Sequence, residues 1–433
     1  MGKKRIVILG AGLCGLSTAW HLKRKKQDCI LFEKEEAVGG LCRSKTIDGF
    51  TFDYDGHLLH FRHPYTFSII QRLMGNNLVS HQRNAWVYAF GRYIPYPFQA
   101  NLYTLPPKVI KDCLLGLAKV MQNGSRHKKE ISFLDWINLR FGRGIAQYFM
   151  EPYNRKFWTV SPQDLTCEWL EGFIPVPSPG QIIEGAIEKN KNEFGYNTRF
   201  WYPKKGGINQ LALAFAHNIP GIRTDCAVSN IDLKRKEVIT VHGDREKFDC
   251  LVSTVPLPEL PRIVLGLPRE VRGLFKKLRW NSILNLNLGI DNMPHAKKHW
   301  VYFPDKEVSF FRVGFHHNFS RALTRAGRGS LYVESSYSTA SPIDKEVFVS
   351  RMKADLFKTG VLEKGGKILV EDINDIKYGY PIYDRNYKST RHAILRFLCR
   401  HGVILAGRYG SWQYKSMEDV IWEGKKISES VSL

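Results

Sequence analysis

Hydrophobic positions along the chain fall into short runs and helical repeats. Residues 5–9, Arg-Ile-Val-Ile-Leu, form an apolar run of the kind a strand buried on both faces needs. Residues 16–26 place Leu16, Ala19 and Leu22 on one helical face. A second apolar run, residues 29–32, ends in Glu33. The pattern predicts a strand, a turn, a helix and a second strand tipped with an acid. Alternation around residues 47–52 predicts a hairpin strand, and two short strands about Gly91-Arg92 predict another hairpin.

Residues 105–175 read as helix-rich. Pro106 and Pro107 start one helix, residues 109–121 carry its spacing, and Asn123 and Gly124 end it. Ser132 caps the next, with Trp136, Ile137 and Phe141 on its face. Residues 178–198 are rich in Pro, Gly, Asn and Lys and read as a loop suited to a mobile lid. A helix follows over residues 209–217, then strands over 228–233, 237–241 and 249–254. From residue 262 to about 380 the chain reads as an antiparallel sheet, with strands at 284–290, 300–304, 308–313 and 330–336 and one covering helix at 344–357. A strand at 403–406 and a helix from Met417 close the chain.

A length of 433 residues exceeds what one core usually holds, so two or three domains are expected. No apolar run reaches the length of a membrane span. The basic start Met-Gly-Lys-Lys-Arg leads into only four apolar residues, too few for a signal peptide, and Gly2 precedes the first strand too closely to suit myristoylation. Eight cysteines lie scattered with no C-x-x-C pair, which argues against zinc and for reduced thiols in a cytoplasmic protein.

Charge narrows the partners. Lys and Arg number 64 against 41 Asp and Glu, a net charge of +23. Nucleic acid, an acidic membrane surface and an anionic small substrate all fit such an excess. The excess is dispersed. Its densest clusters, Lys23-Arg24-Lys25-Lys26 and Arg126-His127-Lys128-Lys129, read as solvated helix ends or loops, and no zinc-finger or RNP signature accompanies them. Specific nucleic-acid binding is therefore set aside, loose attachment to acidic lipid is retained, and an anionic substrate agrees best with the motifs.

Gly10, Gly12 and Gly15 fill the turn between the first strand and helix as G-x-G-x-x-G. Gly10 allows the tight turn, Gly12 a close approach of a pyrophosphate, and Gly15 close packing of helix on strand. The helix start offers N–H groups and a positive dipole end to phosphate. Glu33, about 20 residues on, suits ribose hydroxyls. These parts together predict a dinucleotide site. A second glycine turn, Gly39-Gly40-Leu41-Cys42-Arg43, follows at once.

That turn resembles the G-G-x-x-R-[ST] segment of the amine oxidase and UDP-galactopyranose mutase superfamily, where backbone and arginine run beside FAD. The resemblance favours FAD over NAD. Phe52-Asp53 with Gly56-His57 and Phe61 resembles the histidine loop of the mutases, with Asp55 where they commonly carry glycine. It implies that His57 faces the flavin. Read from residues alone, His57 and His60 are a buried structural pair or, with further ligands, a metal pair. Residues 86–101 build an aromatic wall with an amide, suited to a flat ring, and resemble R-x-[VI]-P-Y-P-F-Q-x-N. The resemblance assigns Tyr96, Phe98, Gln99 and Asn101 to a uracil.

Pro152-Tyr153-Asn154, Lys156 and Trp158 resemble P-Y-N-x-K-x-W, and Trp169 follows as in the eukaryotic-type mutases. Tyr153, Asn154, Trp158 and Trp169 become substrate residues by that likeness, although Trp158 also reads as a helix-packing aromatic. Arg199-Phe200-Trp201-Tyr202-Pro203 resembles the return to the flavin domain and adds Arg199. Phe310-Phe311-Arg312 with Asn318-Phe319-Ser320 resembles the segment whose arginine pairs with the substrate pyrophosphate, a group that guanidinium matches by paired charged bonds. Lys377-Tyr378-Gly379-Tyr380-Pro381 resembles the Y-x-Y-P segment after the sheet and sets Tyr380 to reach a phosphate or sugar hydroxyl of the substrate. Gly407-Arg408-Tyr409-Gly410-Ser411-Trp412-Gln413-Tyr414 resembles G-R-[YF]-[GA]-x-[WY]-x-Y, placing Gly407, Arg408 and Met417 at the flavin and Tyr414 at substrate.

The resemblance implies a Rossmann-like α/β FAD-binding domain (residues 1–85, 200–260 and 395–433), an inserted helical substrate domain (86–199) and an antiparallel β-sheet domain (261–394). It implies a mutase acting on a UDP-hexose through reduced FAD, with an external reductant, and with His57 and Arg312 as the groups at the reaction. The rival expectation is a flavin oxidase or desaturase, which needs no arginine for a diphosphate.

Overall fold

The computed structural model describes residues 4–123, 131–170, 172–190, 192–295 and 297–431. The basic cluster at 126–129 lies outside the described residues. The strand Ile6–Leu9 is central in a five-stranded parallel sheet and is buried throughout. Cys250–Ser253 and Cys29–Phe32 flank it, with Val403–Leu405 and Ile222–Arg223 at the edges. The helix Leu13–Arg24 connects the first two strands and packs on the last helix, Met417–Val431. Lys23 to Lys26, at its end, are exposed. A Cβ at Gly15 would stand 2.0 Å from the Gly10 carbonyl oxygen, so only glycine lets this helix sit so close to the turn.

The larger sheet has seven strands in the order Ile368–Pro381, Trp280–Ile290, Gly329–Tyr337, Arg312–Phe315, Trp300–Tyr302, Ala85–Ala89 and Arg92–Pro95. All neighbours are antiparallel except Trp300–Tyr302 and Ala85–Ala89, which run parallel. The hairpin about Gly91 thus extends this sheet. Leu284, Leu286 and Leu288 pack with Val349, Met352 and Leu356 of the covering helix Lys345–Lys358. Each such leucine contributes about 2 kcal/mol by leaving water.

The opposite face is polar, and it is buried too. Asn285 lies across from Glu334 and Asn374, Asn287 from Tyr332 and Asp372, and Arg312 from Glu334. The alternation at residues 284–290 therefore marks two buried faces, because residues 53–57 lie over the polar one. Asn287 donates to the Asp53 carbonyl at 2.9 Å and Asn285 to the Tyr54 carbonyl at 3.2 Å.

Helices Pro107–Asn123, Phe133–Ile145 and Glu151–Trp158 occupy the expected stretch. Ser132 accepts the Asp135 N–H at 3.1 Å, and the Asp135 carboxylate accepts the Ser132 N–H at 3.3 Å. Two expectations change. Residues 178–198 are not all loop: Pro179–Ile187 is a helix, capped reciprocally by Ser178 and Gln181, with Pro179 in its first turn. Ser-Pro-x-Gln carries that signal, which the loop-forming composition hid. The strand expected at 308–313 is observed at Arg312–Phe315 instead, and ahead of it Ser309 gives its N–H to the Asp355 carboxylate of the covering helix at 2.7 Å. No helix among the described residues is long and apolar enough to cross a membrane.

Candidate functional site

Three glycine turns meet at the start of the Leu13–Arg24 helix. Gly10 donates to the Phe32 carbonyl at 2.7 Å and Gly39 to the Ala11 carbonyl at 2.8 Å, so the first two turns lie side by side. Gly40 faces Gly12, with a Cβ at 40 only 3.3 Å from the Gly12 Cα. Gly407 abuts Cys14 and donates its N–H to Glu423 at 2.9 Å. No side chain among the described residues caps the Leu13–Arg24 helix, and a Cβ at Gly12 would meet none of their atoms within 4 Å. Glu33 is buried and accepts the N–H groups of Ala11 at 2.6 Å and Glu35 at 3.0 Å.

Arg43 lies over the Tyr54 ring at 4.6 Å, and its buried Nε has no partner. Arg408 has a buried, unpartnered Nε as well. Free helix N–H groups, an open glycine turn and the free Arg43 donor fit the diphosphate of FAD. Met417 begins the last helix, whose first turn is capped by Ser416 accepting the Asp419 N–H at 3.2 Å. The buried Glu418 accepts N–H groups from Arg62 and His63 at 2.8 and 2.9 Å, tying this helix to the entry of Pro64–Met74.

Tyrosines line the space between the glycine turns and the large sheet. Burial raises the pKa of Tyr96, Tyr153 and Tyr414, yet each keeps accessible surface. Deep residues with surface to spare are the walls of an internal chamber. Tyr302 contacts Tyr96 at 5.2 Å and Tyr153 at 5.4 Å between ring centres, and Tyr380 contacts Tyr414 at 5.3 Å. The Arg408 guanidinium lies 4.5 Å from the Tyr380 ring and 4.9 Å from the Tyr414 ring. It donates to the carbonyls of Lys415 and Gly379, and no carboxylate among the described residues pairs with it.

Arg312 stands on the polar face of the sheet and holds Glu334 through Nε and Nη2. Burial pushes the Glu334 carboxyl well above the usual carboxylate range, against the pull of Arg312. His57 meets the Asp55 carbonyl through Nδ1 at 3.0 Å. His60 packs its ring against Tyr196 at 4.5 Å, and burial pushes its pKa down to about 4.

Other expected residues serve the walls from behind. Phe98 is fully buried and stacks on Phe149 at 5.0 Å. Gln99 donates to the Pro175 carbonyl at 2.7 Å, Asn101 to that of Pro97 at 3.1 Å and Asn154 to that of Met150 at 2.8 Å. Trp158 is fully buried between Trp169, at 4.7 Å, and Tyr380, at 5.7 Å. Trp169 and Tyr414 also line a 510 Å³ cavity with Arg62, Lys388, Arg391 and Trp422.

Two expected residues lie apart. Arg199 is exposed on the strand Arg199–Pro203, opposite Gln82. Asn318 donates to the carbonyls of His295 and Lys298 at 3.1 and 2.6 Å and lines a different cavity of 490 Å³. Two residues that the motifs did not single out join the chamber. Arg83 lies 4.9 Å from the Tyr96 ring, held by Asn197 at 2.6 Å and the Phe194 carbonyl at 2.7 Å. Glu334 is the other, fully buried and held by Arg312. Its signal was the single carboxylate in the strand Gly329–Tyr337.

Residues 13–358 match the family described as flavin containing amine oxidoreductase. The crystal structure of a reduced UDP-galactopyranose mutase is similar with a TM-score of 0.94 at 26% identity, covering 100% of this chain and 94% of that one. The 4,4'-diapolycopene oxygenase of Methylomonas sp is 36% identical over 346 residues, 72% of this chain and 68% of that protein. An uncharacterized protein in the nifH2 3'region of Methanothermococcus thermolithotrophicus is 44% identical over 55 residues, 13% of this chain, and the match spans 53% of that relative's length. The uncapped helix, the paired glycine turns and the arginines beside them thus have a common explanation: the chain belongs to the flavin-containing amine oxidoreductase family and is UDP-galactopyranose mutase-like within it.

Proposed function

We propose that the chain is a FAD-dependent mutase that interconverts UDP-galactopyranose and UDP-galactofuranose, or a closely related pyranose and furanose pair. The observation that carries this reading is Arg408, a half-buried guanidinium that pairs with no carboxylate among the described residues, framed by Tyr380 and Tyr414 in a chamber beside the glycine turns. Bound and reduced, FAD supplies the nucleophile for the anomeric carbon. The helix start at Leu13 and Arg43 hold the cofactor, and His57 shapes the flavin side of the chamber. Arg408, Tyr380 and Tyr414 receive the substrate diphosphate, with Arg312 beside them. Tyr96 and Arg83 offer a flat ring and a cation to the nucleoside end. Phe98, Gln99 and Asn101 hold that wall in place.

An external reductant is required, since the reading needs reduced flavin and leaves it reduced. The test mixes protein with UDP-galactopyranose, with and without dithionite, and follows products by chromatography. Furanose formed only after reduction supports the mutase; no rearrangement of any nucleotide sugar by reduced protein rejects it. A second reading, an FAD oxidoreductase or desaturase, draws on the likeness to the Methylomonas oxygenase. It expects anaerobic bleaching of the oxidised flavin by a polyene or amine, with no reductant added.

A further inference from the structure

The 490 Å³ cavity lies apart from the flavin chamber, and none of the chamber's tyrosines or arginines lines it. Four stretches of chain meet there: Val79 and His81, Lys204, Lys297 and His299, and residues 317–321. The strand Leu78–Gln82 pairs with Arg199–Pro203, which leads directly into Lys204. Asn77 accepts the Lys205 N–H through its side chain at 2.9 Å and the Lys204 N–H through its carbonyl at 3.3 Å. The Ser320 hydroxyl donates to the Lys204 carbonyl, and it accepts the Ala322 N–H at 3.2 Å, turning the chain at Arg321. Asn84 donates to the Lys297 carbonyl at 2.8 Å, and Asn318 to that of Lys298 at 2.6 Å. Amide and hydroxyl side chains thus pin the backbone beside each of three cations. Beneath them the Phe200 ring packs against His81 at 5.1 Å, His299 at 4.9 Å and Phe319 at 5.4 Å, a rigid aromatic floor.

The charge in this cavity is of one sign. No Asp or Glu lines it among the described residues. Lys204, Lys297 and Arg321 are exposed at its rim, and none of them pairs with a carboxylate among the described residues. The Arg321 guanidinium meets only the Met293 thioether, at 2.9 Å, and sulfur is a weak acceptor. Burial pushes His299 down to about 3 and His317 to about 4, so the fixed charge is that of the two lysines and the arginine. Three cations pinned round one cavity repel one another, and a bound anion relieves that repulsion. Ammonium and guanidinium groups suit the several oxygens of a phosphate. The cavity is far larger than a bare phosphate group, and Val79 gives it an apolar side, so an organic body fits beside the anion.

We propose that this cavity is a second ligand site, which binds a phosphate ester through Lys204, Lys297 and Arg321 with the organic body on the Val79 side. The site is separate from the flavin chamber and stands whether or not the chain is a mutase. A soluble phosphorylated small molecule and a phospholipid headgroup both carry this chemistry.

The test titrates flavin-loaded protein with phenyl phosphate by calorimetry and, separately, floats it with phosphatidylcholine vesicles with and without phosphatidic acid. The variants are Lys204→Glu, Lys297→Glu and Arg321→Glu, all at exposed positions, with flavin absorbance showing that each is folded. Lys276→Glu makes the same charge change at an exposed position outside the cavity. Each cavity variant is expected to weaken binding by about tenfold or more, and Lys276→Glu by less than about twofold, because a distant charge is screened. Phenyl phosphate bound without flotation assigns the site to a soluble ester. Flotation that needs phosphatidic acid and is lost in the cavity variants assigns it to a lipid headgroup. Binding that survives all three cavity variants, or that Lys276→Glu weakens equally, overturns the site. A parent that binds neither phenyl phosphate nor phosphatidic acid vesicles overturns it too.

Discussion

Ala11 donates its backbone N–H to Glu33 Oε2 at 2.6 Å, joining the glycine turn to the acid at the tip of the neighbouring strand. The carboxylate also accepts the Glu35 N–H. Glu33 therefore shapes the turn before any ribose arrives. Glu33→Ala leaves two amides without their acceptor and is expected to cost about 1–3 kcal/mol. Flavin retained per chain after gel filtration should fall, and the urea midpoint should fall with it. Full flavin content and an unchanged midpoint would reject this role.

Gly12 and Gly15 separate cofactor binding from folding. A Cβ at Gly12 meets nothing within 4 Å, whereas one at Gly15 meets the Gly10 carbonyl. Gly12→Ala is expected to leave the stability of flavin-free protein within about 0.5 kcal/mol while abolishing flavin binding. Gly15→Ala is expected to lower that stability by about 1–3 kcal/mol through overpacking. Chemical unfolding of the flavin-free proteins, with flavin titration beside it, checks both.

Arg312 and Glu334 form a buried pair in which neither partner is dispensable alone. Arg312→Met strands Glu334 and is expected to cost about 3–5 kcal/mol. Replacing both, with Glu334→Leu, should recover most of that loss. A double-mutant cycle in urea measures the coupling, and additive losses would show the pair to be unimportant for stability.

Buried histidines make the fold sensitive to acid. Burial holds His60, His316 and His317 down to about 4 from 6.5. In the unfolded chain they take protons near 6.5; in the folded chain they do not until about 4. Between these values the unfolded state binds more protons, so stability falls as pH falls, by on the order of 1 kcal/mol per pH unit for each histidine. Thermal midpoints should drop steadily across this window. A flat response would show that these histidines are not held neutral.

Much was legible in local pattern. The run Ile6–Leu9, the glycines after it and Glu33 state strand, turn, helix and acid within some thirty residues, because parallel strands and their turns are governed by close neighbours in sequence. The caps at Ser132 and the alternation at Leu284, Leu286 and Leu288 are equally local. Ser178 and Gln181 carry an equally local signal for the Pro179–Ile187 helix within a loop-like composition. Tertiary structure alone decided which motif residues share a chamber. It drew Tyr96, Tyr153, Tyr380, Tyr414, Arg312 and Arg408 together and left Arg199 and Asn318 elsewhere. It also laid residues 53–57 across the polar face of the large sheet, where Asn285 and Asn287 hold them. Such contacts depend on how a loop lies across a sheet, and no periodicity or spacing along the chain encodes what a distant strand will present.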